Sequence, residues 1–369
     1  MPPKTDRRNP AMDITRLFAL FSVISVHFFY NNGFYQTPVY GIRMYLMVII
    51  RNFFMICVPL FLLLSGYLMG GKRPEKGYFL GLGKTLLTYV LAALVCMLYR
   101  VVYQGTSYTL IQAIVAITDF SGAQYSWYVE MYMGLYLLIP FLNILYDGLE
   151  SKQQKQWLLI VFLLLSSAPS VINIFRFADP GWFAEPSRSA VYHRLVPDWW
   201  TDIYPITYYF LGRYLRDFPL KLSRWMHIFS ILLLTLATGI FNIYRSFDVN
   251  FVWGVWQGWY ALPNLALAVL VFDLLARINC SRMKPGIRKL LKTASGWVFG
   301  AYLVSWIFDQ TAYPQLISAV PEMPMRLKYY FLIVPWVYAC SLVLSGVLDW
   351  ISRPIREIFR STSDFLKVR

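Results

Sequence analysis

Two side chains in the first apolar stretch have the types and the spacing to do chemistry. Arg16 opens an apolar run and His27 lies deep in it, eleven residues further on. A helix turns about 100° and rises ~1.5 Å per residue, so His27 returns to within about 20° of Arg16, some ~16 Å along the axis. Both side chains then face one stripe of one helix. Hydrocarbon punishes ionisable groups, which therefore tend to face a protein interior or a wet cavity and to mark a function. The pair suits an anionic ligand held at the membrane surface by Arg16, with its reactive end reaching a proton-transfer group, His27. Arg grips phosphate through a bidentate fork and stays charged, and histidine is a general base at ordinary pH.

Each of these residues also has a plainer use. An Arg at the inner end of a span is commonly a topology anchor. A neutral His can be satisfied by Ser22, Ser25 or a nearby backbone carbonyl. Asp13, one turn before Arg16, can hold the guanidinium or cap the helix start, capping being the commoner use. Glu130 follows Trp127-Tyr128, where an unpaired carboxylate in a span is costly. It pairs with Arg51, or it serves as a carboxylate that binds sugar hydroxyls or assists proton transfer. Asp309 and Gln310 raise the same question more weakly. His227 reads as interfacial and His193 as an ordinary loop residue. No metal-ligand cluster, phosphate-cradling Gly-rich loop or G-x-S-x-G elbow is present.

The elements that position these residues follow from composition. The 369 residues are 58% hydrophobic and only 14% charged, with a mean hydropathy of +0.49. A soluble domain carries roughly 25% charged residues, so repeated apolar runs make this an all-α polytopic membrane protein. Ten spans are expected, at about 13–30, 46–70, 79–103, 127–146, 156–176, 202–216, 226–245, 252–275, 294–311 and 328–350. With the N-terminus inside, 25 of the 34 Lys and Arg fall on inner segments, which puts both termini in the cytoplasm. The net charge of +15 is thereby spread over short loops, and a nucleic-acid partner is not expected.

The chain thus divides into a cytoplasmic tail (1–12), a ten-helix membrane domain (13–350) and a basic cytoplasmic tail (351–369) too short to bury a core. Asn31-Asn32-Gly33 reads as an exit from the bilayer, so the first span is retained rather than cleaved as a signal peptide. Four cysteines without a CxxC pair indicate neither a disulfide framework nor a zinc site. The outer loop at 177–201 is long for a connector and is placed to cover a site. Trp253, Trp256, Trp259 and Tyr260 read as an interfacial aromatic belt rather than a sugar platform.

Four stretches together resemble the integral-membrane acyltransferase-3 family. They are Arg16-x10-His27; Val58-Pro59-Leu60-Phe61 with Ser65-Gly66-Tyr67-Leu68; Trp127-Tyr128 with Gly134-Leu135-Tyr136-Leu137-Leu138-Ile139-Pro140; and Tyr209-Phe210-Leu211-Gly212-Arg213-Tyr214-Leu215. The last is similar to a segment of the WecH-like O-acetyltransferase branch. In order they span most of the chain. One position departs: Ser305, in Phe299-Gly300-Ala301-Tyr302-Leu303-Val304-Ser305-Trp306, stands where the family usually has a second His. Glu130 is out of register with the family's Glu, so no role carries over to it.

The resemblance implies a multi-pass enzyme of the cell (inner) membrane that moves an acyl group, commonly acetyl from acetyl-CoA, to a hydroxyl of an envelope saccharide or glycolipid. It makes Arg16 and His27 the essential pair. Ser65 and Tyr67 join Arg16 and Asp13 as residues expected at the donor; apart from the resemblance, the placement of Glu130 in a span makes it a second catalytic candidate beside His27. His27 either deprotonates the acceptor or takes the acetyl itself and relays it. The competing class is a transporter or flippase of an envelope precursor, against which the sequence offers no paired broken helices; a receptor is a third.

Overall fold

The computed structural model describes residues 8–188 and 192–354; most of both tails lies outside the described residues. The architecture is helical, and among the described residues no strand forms beyond one isolated bridge between Val39 and Phe247. The main helices are α1 (Pro10–Asn31), α2 (Ile42–Phe54), α3 (Cys57–Met69), α4 (Leu82–Gln104), α5 (Trp127–Asp147) and α6 (Lys152–Ser166). They continue with α7 (Tyr204–Asp217), α8 (Arg224–Arg245), α9 (Leu262–Ala276), α10 (Pro285–Ala319) and α11 (Tyr330–Ile351).

Every expected span falls on one or more of these helices. Seven helical stretches are long and apolar enough to cross a membrane: Pro10–Gln36, Ile42–Met69, Lys76–Gln104, Trp127–Asp147, Arg224–Arg245, Val255–Ala276 and Met323–Ile351. α6 and α7 have 15 and 14 residues, below the ~20 that span a bilayer unaided. α10 is long but polar, with Arg288, Lys289 and Lys292 near its start and Asp309-Gln310-Thr311 further along.

α1 is the central helix. It packs on α2, α3, α9, α10 and α11, and Ala19, Leu20, Ile24, Phe28 and Phe29 are fully buried there. Its start is set by Pro10 at the first helical position and by Asn9, whose side chain accepts from the Ala11 N–H at 3.0 Å. Asp13 is therefore not the cap. Its carboxylate lies inside the first turn, free to hold other groups.

The second expected span is broken in two at Met55-Ile56. Pro59 explains the break: a proline in a helix lacks an N–H and its ring collides with the carbonyl four residues earlier, here that of Met55. The released Met55 carbonyl accepts from Asn264 Nδ2 on α9 at 3.3 Å, as buried polar backbone in a membrane protein requires.

Two glycines let α3 and α7 touch. A methyl group at Gly66 would overlap the Tyr209 carbonyl, and one at Gly212 would overlap that of Leu63. Small residues at such crossings bring helix backbones together where lipid gives no hydrophobic drive. The glycines of two of the stretches that carry the resemblance thus face each other across one crossing.

Candidate active site

His27 lies in the last two turns of α1, and α10 brings a carboxylate to it. His27 Nδ1 is 3.5 Å from Asp309 Oδ2. Asp309 is 1% exposed and carries two further ligands on the same oxygen. The Tyr125 hydroxyl donates to it at 2.7 Å and Asn31 Nδ2 at 3.4 Å. Asn31 also donates to the His27 carbonyl, one turn back, and to the Tyr125 oxygen. The Tyr125 ring lies against the imidazole, with centroids 3.9 Å apart. The His27 side chain keeps 14% exposure and opens onto a cavity.

Ser22 and Ser25 take no part in this cluster. Their hydroxyls donate to the carbonyls of Phe18 and Phe21 on their own helix, and Ser25 also accepts from Tyr330. The partner of His27 is the carboxylate.

Around the cluster the supports are themselves bonded. The Tyr302 hydroxyl donates to the Tyr125 carbonyl and so ties the segment before α5 to α10. Ser305 is buried, and its hydroxyl donates to the Tyr302 carbonyl at 2.8 Å. It lies one turn before Asp309 on α10 but does not line the cavity.

The cavity has a volume of about 1110 Å³ and runs alongside α1. Arg16, Lys84, Thr88 and Ser65 line the end near the start of α1. His27, Tyr125 and Tyr128 lie along it, and Tyr35, Arg51, Trp253, Trp259 and Tyr260 line the far end. No carboxylate lines it among the described residues. A second, polar cavity of about 590 Å³ shares Tyr30, Gln124 and Tyr125 with the first.

Arg16 is held rather than paired off. Asp13 Oδ1 is 3.6 Å from its guanidinium, while the same carboxylate takes the tighter bonds of Arg8 and the Ser295 hydroxyl. Arg8 Nε donates to both Asp13 oxygens at 3.1 Å. A third of the Arg16 side chain remains exposed, leaving the guanidinium available to an anion.

The remaining expected residues separate. Ser65 lines the cavity, its hydroxyl donating to Phe61 O at 2.9 Å. Tyr67 does not line it; its ring packs edge-on against Phe272. Glu130 is exposed and off the cavity, and it makes no ion pair with Arg51. Arg51 turns instead to Tyr35, Phe251 and Trp253, because α2 ends at the break and points its last turn at the aromatic loop.

Two groups read as interfacial have specific protein neighbours. His227 is buried, with Nε2 2.9 Å from Asp273 Oδ2 and Nδ1 3.1 Å from Ser223 O, where it clips α8 to α9. Of the four aromatic residues read as a belt, Trp253, Trp259 and Tyr260 line the cavity. Trp259 stacks on Trp127 at 4.5 Å, and Trp256 is buried with its indole N–H on Asn242. Trp259 and Tyr260 are half-buried while Trp253 keeps 54% exposure, and the segment before α9 folds back in a short 3-10 turn, Val255–Gln257. Tyr192, in the 177–201 segment, also lines the cavity.

Two members of the cluster had escaped the sequence reading. Asn31 carried a signal, since it is four residues beyond His27 and so on the same helix face. Tyr125 carried none beyond lying two residues before Trp127-Tyr128.

A polytopic helical membrane protein with a carboxylate–histidine pair on a long cavity is the class these observations define. The family model described as an acyltransferase domain matches residues 9–348. The chain belongs to the acyltransferase-3 family and is a multi-pass membrane acyltransferase. No curated protein and no solved structure matches it.

Proposed function

We propose that this chain moves an acyl group, acetyl in the simplest case, from cytosolic acyl-CoA to a hydroxyl of a cell-envelope carbohydrate or glycolipid. The observation that carries the reading is the cavity joining Arg16 at one end to the Asp309-backed His27 further along. On this reading the chain crosses the membrane ten times, has both ends in the cytoplasm and belongs to the WecH-like branch.

The donor's phosphates sit at Arg16 and Lys84, cations that line a cavity with no carboxylate among the described residues. The thioester arm then lies along α1 towards His27, a reach of ~16 Å set by helix geometry. Arg16 and Lys84 fix the charged end, and the apolar wall of Val23, Val58 and Phe61 excludes water from the thioester.

The 3.5 Å contact with Asp309 supports distinct roles for the two ring nitrogens of His27. Nδ1 faces the carboxylate and carries its proton there, so Nε2 holds the free lone pair. Nε2 takes the proton of the acceptor hydroxyl as its oxygen attacks the thioester carbonyl. The new C–O ester bond forms, the C–S bond breaks, and the imidazolium returns the proton to the departing thiolate. Asp309 steadies the imidazolium in between, as a buried carboxylate does in a catalytic triad. Tyr125 and Asn31 hold Asp309 in position.

The aromatic far end suits a sugar, whose apolar ring face lies on Trp or Tyr while its hydroxyls stay bonded to polar groups. Trp253, Trp259 and Tyr260 supply that surface.

The test is release of CoA and transfer of labelled acetyl from acetyl-CoA to an envelope extract, with the full chain in lipid nanodiscs. His27→Ala should lose both at unchanged insertion. Equal release by the wild type and His27→Ala would sink the reading.

A further inference from the structure

Arg51 lies in the last turn of α2 at the far end of the cavity, and it is 1% exposed. Its Nε donates to the Tyr35 hydroxyl at 3.1 Å. Its guanidinium carbon lies 4.9 Å from the ring centroids of both Phe251 and Trp253. Neither terminal nitrogen has a hydrogen-bond partner among the described residues, and no described carboxylate pairs with Arg51. Removing a guanidinium from water and leaving its fork empty is costly, and ring faces recover only part of that cost. The side chain nevertheless lines the cavity, and its buried, unpartnered fork adjoins that space.

We infer that Arg51 is a binding site for the single negative charge of a monoanionic acceptor, a sugar that bears a carboxylate or a phosphodiester. Two oxygens of either group match the two unpaired nitrogens of the fork. One buried cation is neutralised by one charge, which favours these groups over a phosphomonoester or a diphosphate. Trp253 then serves twice, as a face for the guanidinium and as a wall for the sugar that carries the anion. The inner cations, Arg16 and Lys84, stand at the opposite end and serve the donor. The cavity thereby has an anion site at each end with His27 between them, so both substrates are anchored by charge while their uncharged reactive groups meet. This deepens the acyltransferase reading and rests on it for the word acceptor; the anion site itself does not.

Three matched probes test it: phenyl β-glucoside, phenyl β-glucuronide, and the 6-(methyl phosphate) diester of phenyl β-glucoside. Their dissociation constants are measured on the full chain in nanodiscs, without donor. At least one charged probe should bind about tenfold or more tightly than the neutral glucoside, since charge-assisted hydrogen bonds to a buried fork are worth that much. Which one gains identifies the carboxylate or the phosphodiester. Arg51→Gln should erase the preference, and Arg51→Lys should keep part of it, with the charge but not the fork. The wild-type comparison needs no variant and so does not depend on how Arg51→Gln folds. Equal affinity for all three probes, no binding of either charged one, or a preference that persists in Arg51→Gln overturns the site. Loss of His27-dependent CoA release with the charge preference intact would remove the acyltransferase reading and leave the anion site standing. The reverse result would remove the site alone.

Discussion

His27 Nδ1 stands 3.5 Å from Asp309 Oδ2, although 282 positions separate the two residues in the chain. The contact couples the central helix to α10, and on the proposed function it orients His27 as a base. Asp309→Asn keeps the shape but removes the charge that selects the tautomer, so transfer should fall by about 10²–10⁴. His27→Ala should fall as far, and the double variant no further, because residues that act as a unit are not additive. Rates measured on all three variants against the wild type check this. Additive losses would mean that the two side chains work separately.

Arg16 should bind the donor rather than merely fix the topology. Arg16→Ala should raise the acetyl-CoA dissociation constant by about tenfold or more, and Arg16→Lys should also weaken it, since the bidentate fork is lost. Calorimetry on inserted protein decides. Unchanged affinity in Arg16→Ala returns the residue to the role of a positive anchor.

Ser305 should be nearly silent in the chemistry. Its hydroxyl is engaged with the Tyr302 carbonyl of its own helix and stands off the cavity, without a base to activate it. Ser305→Ala should change turnover by much less than about tenfold. An inactive Ser305→Ala protein, inserted and folded, would mean that the chemistry lies elsewhere on α10.

Gly66 and Gly212 should matter for assembly and not for catalysis. Each backbone approaches the other helix so closely that a methyl group overlaps a carbonyl. Overpacking of this kind costs about 1–3 kcal/mol, so Gly66→Ala and Gly212→Ala should each lower the unfolding temperature in detergent. A Tm equal to that of the wild type in both would show that the crossing can open freely.

The topology has its own signature. Cysteines introduced into 177–201 should react with an impermeant label from outside, and those at 72–78 should not, as the distribution of Lys and Arg requires. The reversed pattern would place Arg16 away from cytosolic acyl-CoA.

The sequence alone determined the helical class, the apolar stretches that become the long helices and the alignment of Arg16 with His27. All three rest on local periodicity and composition, which neighbours along the chain establish among themselves. It also carried the family, since Pro59, Gly66 and Gly212 serve backbone geometry that leaves a recurrent trace. What only the tertiary structure decided was partnership. Asp309 reads in the sequence as a weaker candidate than Glu130; helix packing sends it to His27 and leaves Glu130 exposed. Arg51 could have paired with Glu130 by position, yet the break above Pro59 ends α2 early and turns it towards Tyr35, Phe251 and Trp253. The tryptophans before α9 fit a lipid belt by composition, and only a folded-back turn shows Trp253 and Trp259 at the cavity. Which side chains meet depends on rotations and breaks of helices far apart in the chain, and no local pattern encodes those.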